Sequence, residues 1–146
     1  MRIRVLVAAL LCLGAAIPAC SSSPTEQEII DELEERLRSV EGGWTGTASG
    51  GSQLTLDFQL QAGAGNAVSG SGTMREQPGA ATVPITVTGT FNRPALSLTF
   101  SGMTYQGHAV QGTVSGSYTS VGGVAGNLQL SGTGYSTTVP VLLQEK

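Results

Sequence analysis

From Gly42 to the end of the chain the residues alternate with a period of two, and turn residues interrupt the alternation at short intervals. Leu54, Leu56, Phe58 and Leu60 alternate with Gln53, Thr55, Asp57, Gln59 and Gln61. The same alternation of apolar with hydroxyl or amide residues recurs around Val83–Val87 and Phe91, Leu96–Phe100, Val124–Leu130 and Val139–Leu143. Such segments are half-buried strands with one apolar and one polar face. The separators SGG (49–51), AGAGN (62–66), EQPGA (76–80), NRPA (92–95), GMTYQG (102–107), SVGG (120–123) and GYST (134–137) divide them into eight strands. The expected strands are 44–49, 53–61, 67–75, 82–91, 95–101, 108–119, 124–133 and 137–144. No interval holds a crossover helix, so consecutive strands pair antiparallel.

Glycine weakens a strand, yet Gly46, Gly70, Gly72, Gly89, Gly112, Gly116, Gly126 and Gly132 all fall within these segments on the apolar parity. That distribution suits a sheet that coils sharply or whose strands approach closely. An eight-stranded meander removes both of its edges by closing into an up-and-down barrel. The expected fold is therefore all-β: a small eight-stranded antiparallel barrel over 42–146, preceded by one amphipathic helix. A two-sheet sandwich buries the same faces and is the alternative. A membrane-spanning barrel also alternates, but it needs aromatic girdles that Trp44, the phenylalanines and the tyrosines do not form.

Ahead of the barrel, PTEQEIIDELEERLRSV (24–40) is the one helical pattern after the first twenty residues. Ser23 is the expected N-cap, with Pro24 at the first helical position, Glu26 closing a capping box, and Gly42 and Gly43 ending the helix. Ile30, Leu33, Leu37 and Val40 form a narrow apolar stripe. It can pack on the barrel, pair with a second copy, or lie over a barrel mouth. The expected helix, 24–41, holds seven acids (Glu26, Glu28, Asp31, Glu32, Glu34, Glu35 and Glu41) against Arg36 and Arg38, whereas 42–146 balances three acids with three bases. Neither part carries the basic patch that nucleic-acid binding needs.

The chain opens MRIRVLVAALLCLGAAIPAC. Arg2 and Arg4 precede an apolar run, Val5–Ala16, of signal-peptide length. Ile17-Pro18-Ala19-Cys20 resembles the lipobox of bacterial lipoproteins. The resemblance implies removal of residues 1–19, diacylglyceryl transfer to the Cys20 thiol, and a short tether at 20–23. It implies a protein held in the cell envelope by its lipid rather than by a span. Ser21 after the cysteine implies sorting to an outer membrane, facing the periplasm, in a two-membrane organism. An ordinary secretory signal cleaved elsewhere is the alternative. Cys12 and Cys20 are the only cysteines, so on the lipoprotein reading no thiol remains for a disulfide or a metal site.

Gly42-Gly43-Trp44 resembles the G-x-W signature that opens lipocalin barrels, and avidin-like barrels begin similarly. The resemblance implies that Trp44 plugs one end, and it raises a cavity for a small apolar ligand. On the inward parity the candidate lining residues are Trp44, Phe58, Met74, Phe91, Phe100, His108 and Tyr118. His108, the only histidine, is expected to point inward near a barrel end. Asp57, Glu76 and Glu145 share no metal-ligand spacing, no G-x-S-x-G elbow occurs, and no glycine-rich loop precedes a helix. The expectation is therefore a non-enzyme without cofactor. It either binds a small apolar ligand inside the barrel, or has a filled interior and works through its surface as a structural or interaction domain of the envelope.

Overall fold

A computed structural model describes residues 25–30, 39–119 and 121–146. Its strands are β1 (Gly42–Ser49), β2 (Gln53–Ala62), β3 (Ala67–Gln77), β4 (Val83–Asn92), β5 (Ala95–Tyr105), β6 (His108–Tyr118), β7 (Gly123–Gly132) and β8 (Tyr135–Glu145). Each pairs antiparallel with the next, and β1 pairs with β8 from Trp44↔Glu145 to Ala48↔Val141, closing the barrel. This register excludes the two-sheet sandwich, in which β1 and β8 would not complete a ring.

The burial pattern of β2, eBiBeBeBee, is the sequence alternation made physical: Leu54, Leu56, Phe58 and Leu60 point inward, and Gln53, Asp57, Gln59 and Gln61 outward. The inward residues of all eight strands, with Val40, form one core cluster. Apolar side chains thus face the barrel axis and hydroxyls face outward, the reverse of a lipid-facing barrel.

Three local expectations are corrected. Sequence ends the fifth strand at Ser101 and treats 102–107 as a turn, but β5 continues to Tyr105. The register shifts between Phe100↔Gly112 and Met103↔Val110, and Gly102 takes φ +84° there. This one-residue bulge flips the parity. Leu96, Leu98 and Phe100 point inward before it, Met103 and Tyr105 after it. The turn shrinks to Gln106-Gly107, both with positive φ, as a tight two-residue hairpin requires.

The helix cap is Thr25 rather than Ser23, which lies outside the described residues. Glu28 N–H donates to Thr25 Oγ1 (3.3 Å), and Thr25 N–H donates to Glu28 Oε2 (2.8 Å). These are the two reciprocal bonds of a capping box, so Glu28 and not Glu26 closes it.

The helix is also shorter at its far end than 24–41, because Ser39, Val40 and Glu41 are not helical and Gly42 already belongs to β1. Tertiary bonds take over here: Trp44 Nε1–H donates to the Val40 carbonyl (2.9 Å), and Ala62 N–H to Glu41 Oε1 (3.0 Å). Of the apolar stripe, Val40 is buried in the core and Ile30 is half-exposed. Leu33 and Leu37 lie outside the described residues, as do Cys12, Cys20 and the whole lipobox.

Candidate functional site

The inward residues singled out by sequence divide into a column, a separate core residue and an outlier. Phe100 meets Phe58 edge-on at 5.3 Å, and Phe58 stacks on Trp44 at 6.4 Å. Trp44 lies 5.9 Å from Tyr118, which meets Phe91 edge-on at 5.9 Å. These five rings run along the interior to the end where the chain enters the barrel. Aromatic pairs of this kind contribute about 0.5–1.5 kcal/mol each beyond their buried area. Met74 is buried in the same core.

His108 departs from the expectation: it is exposed, not inward. The parity is right, since it pairs with inward-facing Tyr105 across the hairpin. However, it is the first residue of β6, past the last filled layer, and its ring stacks at 4.5 Å on Tyr135 instead of entering the core.

The glycines decide how much room is left between these side chains. A Cβ at Gly46 would lie 2.6 Å from Leu143 Cδ2, and one at Gly112 would lie 2.6 Å from Met103 Sδ and 2.9 Å from Leu128 Cδ1. Their space is taken by neighbouring side chains. At Gly72 the obstacle is backbone: a Cβ there would meet the Asp57 carbonyl oxygen and lie 2.5 Å from Phe58 Cα. Gly72 is paired with Phe58, so β2 and β3 approach more closely than any side chain on that face permits. The inward glycines thus accommodate the wall and the core. The interior is dense in the way protein interiors are close-packed.

The end at which Trp44 sits is sealed by Val40 and by Tyr118, whose hydroxyl donates to Glu145 Oε2 at 2.9 Å. Burial, and then the hydrogen bond and charge of Glu145, push the Tyr118 phenol up to about 12, with Arg93 opposing. The opposite end is closed by Tyr105, which sequence reasoning assigned to a turn. Its ring is fully buried, and its hydroxyl accepts from Ser52 N–H (3.1 Å) and donates to the Ser52 carbonyl (3.3 Å). Around it Gln106 N–H donates to both Glu76 carboxylate oxygens (3.1 and 3.0 Å), and Tyr135 Oη–H donates to Gln106 Oε1 (3.1 Å). The signal for Tyr105 was present: alternation resumes at Met103 and Tyr105, one residue out of phase with Phe100.

The described depressions lie on the outer wall and at the rim of the Trp44 end. One of about 540 Å³ crosses β3, β4 and β5 and is lined by Ser71, Thr73, Pro84, Thr86, Ser101 and neighbouring backbone. Another, of about 180 Å³, lies beside Val40, Val68 and Phe91 at the end where Trp44 sits. Among the described residues no three His, Cys, Asp or Glu side chains are grouped to hold a metal ion. Comparison of the chain with protein-family models, with curated proteins and with solved structures finds no match.

Proposed function

We propose that this chain is a lipid-anchored envelope protein whose barrel is a non-enzymatic structural or interaction domain, acting through its outer wall rather than through a ligand chamber. The observation that carries the reading is the state of the inward glycines. Leucine, methionine and valine side chains or the next strand's backbone occupy the space that they leave. A lipocalin-like guest needs a chamber of several hundred Å³ lined by apolar groups. Here the aromatic column and the two end seals stand in that volume. The anchor rests on the lipobox-like Ile17-Pro18-Ala19-Cys20.

Two measurements test the reading. Intact-mass analysis of the wild-type protein should find an acylated N-terminal Cys20; an unmodified terminus would refute the anchor. Native mass spectrometry and solvent extraction of detergent-free Cys20→Ser protein should recover no stoichiometric apolar molecule. Recovery of one, together with a thermal shift from fatty acids or sterols, would overturn the filled-barrel reading and return the ligand-binding one.

A further inference from the structure

Charge is unevenly distributed around the barrel. Between Val83 and Gly132, which span β4 to β7, the only charged side chain is Arg93, with His108 at the far rim. Asp57, Arg75, Glu76, Glu145 and Lys146 all belong to β2, β3, β8 and the C-terminus. The neutral half of the wall is instead tiled with hydroxyls and amides in register: Ser71, Thr86 and Ser101 form one row across β3–β5. Ser69, Thr88, Thr99, Thr113 and Gln129 form the next, across β3–β7.

A second observation places a groove on this wall. The β4–β5 register begins at Thr86↔Ser101, although β4 starts at Val83 and β5 runs on to Tyr105. The pairing stops short of Pro84, which has no N–H to donate, and of the bulge at Gly102, and the depression of about 540 Å³ lies over this unpaired stretch. Its margin carries Ser71, Thr73, Thr86 and Ser101, and Pro84 supplies an apolar patch.

We infer that this groove and the hydroxyl rows beside it bind a neutral polyhydroxylated chain, a glycan. The inference rests on the outer-wall reading above and names its partner class. A nucleic acid or an acidic polymer would need a cluster of basic residues, and this half has a single arginine, Arg93, in the β4–β5 turn. A protein partner would need buried aromatic, methionine or arginine anchors. The exposed large hydrophobics among the described residues are Ile29, Ile30, Val121 and Leu142, and none of them lies on these rows. Hydroxyls and amides offer donors and acceptors to sugar hydroxyls, and threonine methyls and the Pro84 ring can lie against sugar C–H faces. Such contacts are individually weak and gain from repetition along a polymer.

The test is retention of the full chain carrying Cys20→Ser on a panel of neutral polysaccharides (α-glucan, β-glucan, mannan and chitin), by affinity electrophoresis or co-sedimentation. At least one should retain the protein, with little change as salt is raised to about 0.5 M, because no ion pair is involved. Thr86→Glu and, separately, Thr99→Glu should each weaken retention at least tenfold, whereas Gln59→Glu on the charged half should leave it unchanged. Trp44 fluorescence verifies that each variant is folded. Retention by none of the panel, or equal retention of Thr86→Glu and wild type, overturns the proposal. So does a concentration-dependent dimer that Thr86→Glu dissociates, which would make the wall a self-interface while leaving the interaction-domain reading in place. An apolar guest recovered from the interior would count against that underlying reading instead.

Discussion

Replacing Gly72 with alanine should be among the most damaging single-methyl additions this barrel can receive. The new Cβ would meet the Asp57 carbonyl oxygen and lie 2.5 Å from both Phe58 Cα and Phe58 Cβ. A normal carbon–carbon separation at contact is about 3.5–4.0 Å, so roughly an ångström must come from moving the β2 backbone. Overpacking of this kind costs about 1–3 kcal/mol, and a backbone obstacle belongs at the upper end. Alanine also restricts the unfolded chain, which offsets about 0.4–1 kcal/mol. The expected net loss is about 2 kcal/mol, or a fall in Tm of roughly 8–16 °C for a domain of this size. Gly63, in the adjoining β2–β3 turn, is the internal control. Its Cβ would sit 3.4 Å from the Ala67 carbonyl oxygen and 3.6 Å from Ala67 Cβ, ordinary contacts, so Gly63→Ala should be neutral or slightly stabilising. Gly112→Ala should fall between them, because Met103 and Leu128 can rotate away where backbone cannot. Urea unfolding followed by the fluorescence of Trp44, the only tryptophan, measures all three. If Gly72→Ala lies within about 0.5 kcal/mol of Gly63→Ala, the glycines are not there for close strand approach and the reasoning fails.

Three further perturbations probe the ends and the wall. Trp44→Phe removes the Nε1–H bond to the Val40 carbonyl and leaves part of the plug empty, so circular dichroism in urea should show a loss of about 2–3 kcal/mol. In an absorbance titration one tyrosine, Tyr118, should ionise near pH 12, and Glu145→Gln should bring it back toward the ordinary value; an unchanged curve would deny the Tyr118–Glu145 bond. Because folding raises this phenol's pKa, the stability it contributes is complete below about pH 10 and is lost as pH climbs through about 12. Asp57→Asn breaks the 2.6 Å ion pair with Lys146, but both partners are about half exposed, so thermal unfolding should register less than about 0.5 kcal/mol.

The strands were legible because alternation and turn residues are local signals, and a barrel with one apolar face repeats them eight times. What escaped was what neighbouring strands decide. The bulge at Gly102 read as a turn, since glycine marks both, and only the phase slip between Phe100 and Met103 separates them. With that slip overlooked, Tyr105, the stopper of one end, was assigned to a loop. His108 shows the complementary limit: parity gives the side of the sheet, but not whether another layer of side chains lies beyond it. The five-ring column was legible as a set of inward residues. Which rings touch follows from the stagger between strands, and residue order does not state it. The sequence reading placed the capping box on Ser23-x-x-Glu26, whereas the reciprocal bonds join Thr25 and Glu28, an overlapping match of the same spacing.

The position of the chain ends gives the outer wall its bearing on the proposed function. Val40 and Glu41 lead into β1 beside the last residues of β8: Glu145 N–H donates to the Gly122 carbonyl (2.8 Å), and Lys146 N–H to the Gly43 carbonyl (2.8 Å). The segment that connects to Cys20 therefore joins the barrel at the end where Trp44 sits, and the Tyr105 rim is the end remote from that junction. In an anchored protein the seal formed by Val40, Trp44 and Tyr118 is then where any pull on the tether is first felt. Val40 is held there by burial and by a hydrogen bond from the indole, and β1 is paired along both of its edges. Tension would have to break pairing on two sides of β1 before it reached the wall. The hydroxyl rows on β3–β7 are separated from β1 by at least one strand on either side, although Ser69, opposite Gln61 of β2, stands near the Trp44 end. Those rows lie on strands that pair with neither β1 nor, except for β7, with β8.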